Sequence, residues 1–311
     1  MAAINFLWDG KTKTPAETTT LYSRDASGAT FWYRSSTESW TGVGLVYGNS
    51  SEAMPTSGVL TSYSYESRVG LFDLKISSLS YSIPADANYE EIISGMIAGP
   101  DTWIGNNQNN WFYFSVGGDT YNGGRGTDSI VFPGNKQTWF DILKLKISFQ
   151  TNQATKILLP SVDTNLDSIE RLVFDDVSVA LDIAGVGGEA YRIYKAAFNR
   201  IPDAEGLGYW IGQMDKGMGL QEVSARFIDS AEFKALYGAS PSKANFLTKV
   251  YTNVLGRTPD QGGYDWWLNA MNTDSTKTFA KVLADFSESA ENQTGTAALV
   301  ATGIVYEPWG G

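Results

Sequence analysis

Between residues 96 and 131 the carboxylates, amides and glycines fall on a period of nine. Residues 123–131 read GGRGTDSIV, so Gly123, Gly124 and Gly126 precede Asp128, and the large apolar Ile130 follows two places on. The same frame runs backwards. Residues 114–122 carry Gly117, Asp119 and Tyr121; residues 105–113 carry Gly105, Asn110 in the Asp place, and Phe112; residues 96–104 carry Gly99, Asp101 and Trp103. This is the nonapeptide G-G-x-G-x-D-x-U-x, where U is a large apolar residue. Its chemistry is that of a hard cation. Aspartate carboxylates and turn carbonyls donate oxygen, which suits Ca²⁺ rather than zinc or copper. Glycine is needed where the turn takes φ > 0 or backbones approach closely. Each apolar residue starts a short strand pointing into a parallel β-roll. Successive turns fall on opposite sides of such a roll, so alternate rows share a side: Asp101 is expected to face Asp119, and Asn110 to face Asp128. The expected metal-binding set is therefore Gly99, Asp101, Gly105, Asn110, Gly117, Asp119, Gly123, Gly124, Gly126 and Asp128. Two glycine-poor rows and the Asn110 replacement lower the expected affinity.

Other chemistry is excluded by residue type. The chain has no cysteine and no histidine, which removes thiolate nucleophiles, iron–sulfur clusters, cysteine-ligated zinc and imidazole-based triads. A net charge of −11 argues against nucleic acid, which demands a basic footprint. Glu66, Asp73, Glu90 and Glu91 could serve glycosidase chemistry, but no spacing singles out a pair. No catalytic residue is assigned, and the chain is read as a non-enzyme. Nothing reaches 18 consecutive apolar residues, so no transmembrane segment is expected. The opening MAAINFLWDGKTKT lacks the pattern of a Sec signal peptide.

The elements that must position the rows follow from periodicity, and the fold class expected is α+β. Residues 1–87 read as a β-rich region, with alternation in 71–76 and 79–83 and strand-like aromatics at Phe31–Trp32–Tyr33 and Tyr63–Tyr65. Those aromatics are read as core, the alternative being a sugar-stacking face. Residues 88–183 hold a short amphipathic helix at 88–98, the roll, and further strands from 138. The run AGVGG, Ala184–Gly188, reads as a linker. Residues 184–311 then form a helical domain, helical from Glu189 to about Asn292, followed by a small-residue tail.

That domain repeats. YKAAFNRIPDAEGLGYW (194–210) returns as YTNVLGRTPDQGGYDWW (251–267), so Arg200, Pro202, Asp203, Gly206 and Trp210 match Arg257, Pro259, Asp260, Gly263 and Trp267. ARFIDSAEF (225–233) returns as ADFSESAEN (284–292) at an offset larger by two. The copies span 189–238 and 246–292. Pro and Asp suit a helix start, Ser230 and Ser289 suit the start of a final turn, and two copies can share one core. The arginines are expected to hold helix ends, with Trp210, Trp266 and Trp267 in the core.

The nonapeptide rows resemble the RTX, or hemolysin-type, calcium-binding repeats, with four short rows in place of long arrays. The two R-x-P-D-x-x-G…W blocks, the two S-A-E blocks, the lead-in DSIERLVFDDVSVALDIAG (167–185) and the closing GIVYEPWG closely resemble an uncharacterised helical domain family found in tandem near the C-termini of bacterial RTX-type proteins. The resemblance implies export by a type I secretion apparatus through an uncleaved C-terminal signal, an extracellular or cell-surface location, and no assigned activity. The expected function is a secreted, Ca²⁺-binding structural or adhesive protein that associates with itself or with cell-surface polysaccharide. The alternative is a calcium-dependent carbohydrate-binding or polysaccharide-active protein.

Overall fold

A computed structural model describes residues 100–308, save 101, 106, 115, 116, 151 and 152, together with the backbone of six strands between residues 20 and 82. The fold is α+β: β-rich up to residue 180, then helical from 186 to 300. The chain divides into two compact units. The first holds residues 1–133, 137–148 and 155–170; the second holds 134–136, 149–154 and 171–311.

In the first unit β1 (Thr20–Asp25), β2 (Gly28–Trp32), β3 (Ser36–Tyr47), β4 (Pro55–Ser67) and β5 (Asp73–Ser77) pair antiparallel in sequence order, and β6 (Tyr81–Ser82) adds to β4. The strand-like patterning of this region thus corresponds to strands. The expected helix at 88–98, and the surroundings of the aromatics before residue 87, lie outside the described residues.

The nine-residue rows then wind as coils. β7 (Thr102–Ile104) and β9 (Thr120–Asn122) are parallel, with Trp103 opposite Tyr121. β8 (Trp111–Tyr113) and β10 (Ser129–Val131) are parallel in a separate pair, with Phe112 opposite Ile130. Partners in each pair differ by two rows, so successive rows alternate between two layers. The eighth residues of the rows, Trp103, Phe112, Tyr121 and Ile130, are all buried. Trp103 stacks on Tyr121 at 5.9 Å, and Phe112 meets Tyr121 edge-on at 5.7 Å. Full burial of such side chains stabilises by about 1.5–3 kcal/mol each, which is what holds coils with so few ladder hydrogen bonds.

After β10 the chain leaves the roll. A π-helical turn, Thr138–Ile142, sets Trp139 edge-on against Phe114 and Phe132 and directs its indole N–H to the Pro133 carbonyl at 2.9 Å. β11 (Lys146–Gln150) and β12 (Gln153–Leu159) follow, and β13 (Val162–Asp167) pairs antiparallel with β12. β13 also pairs parallel with β9, placing Leu166 opposite Tyr121. The excursion therefore ends by supplying one more coil, and the long sheet runs β1-β2-β3-β4-β5-β7-β9-β13-β12-β11.

The second unit contains β14 (Arg171–Val173), β15 (Ser178–Ala180) and β16 (Ile304–Tyr306), an antiparallel meander closed by the chain's far end. Its helices are α1 (Val186–Phe198), α2 (Ala204–Asp215), α3 (Leu220–Asp229), α4 (Ala231–Tyr237), α5 (Lys243–Leu255), α6 (Gln261–Thr273), α7 (Phe279–Ser287) and α8 (Ala290–Val300). Helices α1–α4 are one copy of the repeat and α5–α8 the other. The added residues of the second copy fall at the end of α6 and in the turn before α7. Asp274 holds that turn by accepting from the amide and hydroxyl of Thr276. Equivalent helices pack on each other across the copies, α1 on α5 and α3 on α7, as in an isologous dimer fused into one chain. One apolar cluster runs through both copies.

The repeated polar residues hold helix ends. Asp203 and Asp260 cap α2 and α6, accepting from the Gly206 and Gly263 amides at 2.7 and 2.8 Å. Arg200 grips Glu232 and Asp203; Arg257 grips Glu291 and Asp260. Ser230 and Ser289 cap α4 and α8. Caps of this kind contribute about 1 kcal/mol each.

Three expectations for this region need correction. The run 184–188 is no linker: α1 begins inside it, with Gly187 and Gly188 buried. Residues 293–300, read as part of a small-residue tail after the last helix, continue the helix begun at Ala290 and complete α8. Trp210 and Trp267 pack against the core, whereas Trp266 is 59% exposed, because α6 turns that position away from the shared cluster.

Candidate metal centre

The turns between strands stack into two columns of sixth-position residues. Asn110 and Asp128 occupy one column and Asp119 the other; all three are buried. Gly99 and Asp101 lie outside the described residues, so the partner expected for Asp119 from that row is not described.

In the first column each turn is tied to the next. The Ser129 amide donates to the Asn110 carbonyl at 2.8 Å, and the Asn110 amide donates to Asp128 Oδ1 at 2.7 Å. The Thr127 amide donates to Asn109 Oδ1 at 2.9 Å. The column continues onto the chain returning from the excursion. The Asp128 amide donates to Glu170 Oε2 at 2.7 Å, and the Glu170 amide donates to the Asp128 carbonyl at 3.0 Å.

The glycines of this column are dictated by oxygen crowding. A Cβ on Gly105 would lie 2.3 Å from Asn110 Oδ1 and 2.5 Å from the Gly123 carbonyl; one on Gly123 would lie 2.1 Å from the Ser168 carbonyl and 2.4 Å from Asp128 Oδ2. Both rows thus bring a side-chain oxygen and a carbonyl of the next coil to the same point beneath the first glycine. Gly124 and Gly126 answer a different need, with φ of 90° and 125°, a region open to glycine.

Electrostatically the column is unfinished. Asp128 Oδ2 is fully buried and accepts no hydrogen bond. Loss of water pushes the Asp128 carboxyl up to about 6, against the opposing pull of the Asn110 amide. A buried acceptor of this kind is exceptional, since buried polar groups are normally satisfied. The oxygens gathered here form a hard-donor set of the type Ca²⁺ takes. Asp128 with the Ser168 carbonyl beneath Gly123, and Glu170 bonded to the Asp128 amide, are the residues that would hold such an ion; Asn110 and the Gly123 carbonyl meet at a separate point beneath Gly105. Among the described residues no three acidic side chains converge, so carbonyl oxygens would complete the shell.

In the second column Asp119 accepts from the Tyr121 hydroxyl at 3.2 Å, and its carbonyl accepts from the Asn165 amide at 2.8 Å. Gly117 sits in the turn before it, and Gly118, next to it, takes φ of 87°. Thr164, adjacent to Asn165 on β13, is buried with an unpartnered hydroxyl. Sequence reasoning missed Glu170, Ser168 and Thr164. They lie more than thirty residues beyond the last row, and only the register of β13 on β9 brings them back.

A family model described as a domain of unknown function (DUF4214) matches residues 224–296, from within α3 of the first copy to within α8 of the second. A helical domain of unknown function is thus present, and no RTX repeat family is detected. No curated protein and no solved structure matches the chain.

Proposed function

We propose that this chain is a calcium-binding structural protein of the bacterial exterior, exported by a type I apparatus, in which Ca²⁺ completes the turns of a short β-roll and a non-catalytic helical domain accompanies it. The observation that carries the reading is Asp128 Oδ2, a buried carboxylate oxygen with no donor in a column otherwise tied by hydrogen bonds. A cation satisfies that oxygen, and a donor side chain does not have to. Binding only to the folded roll would stabilise it by RT ln(1 + [Ca²⁺]/Kd), which is large outside cells and negligible where calcium is scarce. The adhesive or surface-layer role, with self-association or a polysaccharide as partner, rests on the resemblance of the rows and the helical repeats.

Calorimetric titration of chelator-treated protein with Ca²⁺, with particle size followed alongside, tests both parts. Saturable heat near or below 1 mM, with a rise in melting temperature, is the expected outcome. Growth in particle size would mark an assembling protein. No heat at that concentration would overturn the calcium reading.

A variant separates a ligand from a packing residue. Asp128→Asn keeps the acceptor for the Asn110 amide and removes the buried charge. Without metal, the native carboxyl holds its proton up to about pH 6, while the unfolded one releases it near 3.9. Raising the pH through that window therefore destabilises the native state of the wild type, because the native state binds the extra proton. The metal-free asparagine variant should lack this contribution, so that its stability relative to wild type rises with pH over 4–6 and exceeds that of wild type at pH 7 by roughly 1–3 kcal/mol. In Ca²⁺ the order should reverse. Melting temperatures at pH 4.5 and 7, with chelator and with Ca²⁺, check this. A variant less stable than wild type in chelator at pH 7 would count against the account.

A further inference from the structure

We infer that Glu170, which lies outside the glycine-rich rows, is the second carboxylate of the Asp128 cation site, so that the metal fastens the chain returning from the 134–164 excursion onto the roll. The inference rests on the proposed calcium reading and adds a ligand the rows do not contain.

Charge is the first argument. Asn110 stands where a second aspartate would face Asp128, so the rows bring one carboxylate to this column. One carboxylate leaves a divalent ion half neutralised in a buried setting, where uncompensated charge is costly. The returning chain carries the missing acid. Glu170 Oε2 lies 2.7 Å from the Asp128 amide, and its own amide reaches the Asp128 carbonyl at 3.0 Å. This reciprocal pair of bonds holds the Glu170 carboxyl group against the backbone of the very residue whose Oδ2 has no donor.

The second argument is the convergence beneath Gly123. The Ser168 carbonyl and Asp128 Oδ2 both lie within 2.4 Å of the point a Cβ would occupy there. Beneath Gly105 the matching carbonyl comes from Gly123, inside the rows. In the later coil it comes from Ser168, which takes φ of 54° to present it. The Gly123 amide, for its part, donates to the Asp167 carbonyl at 3.0 Å. The segment Asp167–Glu170 thus stands where the next nonapeptide turn would stand and brings the oxygens such a turn would bring.

A purely structural role for Glu170, capping the Asp128 amide, makes a different prediction. Glu170→Gln retains an oxygen acceptor for that amide and loses the charge. Chelator-treated full-length wild type, Glu170→Gln and Asp128→Asn would be titrated with Ca²⁺ by calorimetry, with far-ultraviolet circular dichroism confirming the fold of each. The expected result is binding at least 10-fold weaker in Glu170→Gln and lost in Asp128→Asn. Wild-type affinity in Glu170→Gln would overturn the inference and leave the calcium reading standing. No binding by wild type would overturn both. Should Glu170→Gln fail to fold, limited trypsin digestion of wild type decides. Ca²⁺ should slow cleavage after the exposed Lys144 and Lys146 several-fold, and unchanged cleavage in a protein that binds Ca²⁺ would overturn the fastening.

Discussion

Arg192→Met should lower the stability of the helical unit by about 2–4 kcal/mol, somewhat less than the cost of breaking one side of a fully buried ion pair, because the Glu288 side chain keeps 22% of its surface exposed. Arg192 lies on α1 with 4% of its surface exposed. Its guanidinium Nε donates to both carboxylate oxygens of Glu288, at 2.8 and 3.0 Å, and Nη2 donates to Oε2 at 2.5 Å. Nη1 donates to the Ile183 carbonyl at 2.8 Å. Glu288 ends α7, so this one side chain joins the first helix of one copy to the third helix of the other and holds the entry to α1 as well. Methionine fills the volume but leaves a carboxylate and a carbonyl without donors. Lysine should recover less than half of the loss, because a point charge cannot reproduce the bidentate fork. Adding Glu288→Gln to Arg192→Met should cost less than the two single losses combined. Urea denaturation followed by helical circular dichroism measures wild type, the three single variants and the double variant. A loss below 1 kcal/mol for Arg192→Met would mean that the pair is hydrated like a surface bridge.

The position of this pair shows what the sequence carries and what it hides. The period of nine was legible because residues two rows apart fall on one side of the coil, and the eighth residues form its interior: Trp103, Phe112, Tyr121 and Ile130. The duplicated helices were legible because their caps repeat with their chemistry. Arg192 was not, since its counterpart in the second copy is Lys249, which bonds the Leu236 carbonyl instead. The contact is made once and its twin is absent, so comparing the two copies does not mark it. Glu170 was hidden for a related reason: its place depends on how the whole excursion returns, and no local pattern records that. Composition misled at 184–188, where three glycines in five residues suggested a flexible joint. Two of them are glycine because neighbours leave no room. A Cβ on Gly187 would meet Asp182 Oδ1 at 2.5 Å, and one on Gly188 would meet the Ile183 carbonyl at 1.9 Å.

The same reasoning yields a reversal of sign within one helix. Gly208 and Gly212 lie one turn apart on α2. Replacing glycine by alanine inside a helix ordinarily stabilises by about 0.5–1 kcal/mol, through reduced chain entropy. Gly212 meets nothing within 4 Å of an added Cβ, so Gly212→Ala should follow that rule. At Gly208 the added carbon would fall 1.7 Å from the Glu307 carbonyl and 3.2 Å from the Tyr306 ring. The Glu307 amide donates to the Ala204 carbonyl at 3.0 Å, and Ile304 and Tyr306 are buried, so the segment cannot slide away cheaply. Gly208→Ala should therefore destabilise by about 2–4 kcal/mol, in the range of overpacking against backbone. It should also speed amide exchange at Val305–Glu307, which Gly212→Ala should leave untouched. The unlike outcomes would place the closing strand as part of the helical core. Two variants shifting the melting temperature in the same direction would mean that residues 304–307 are not held against α2.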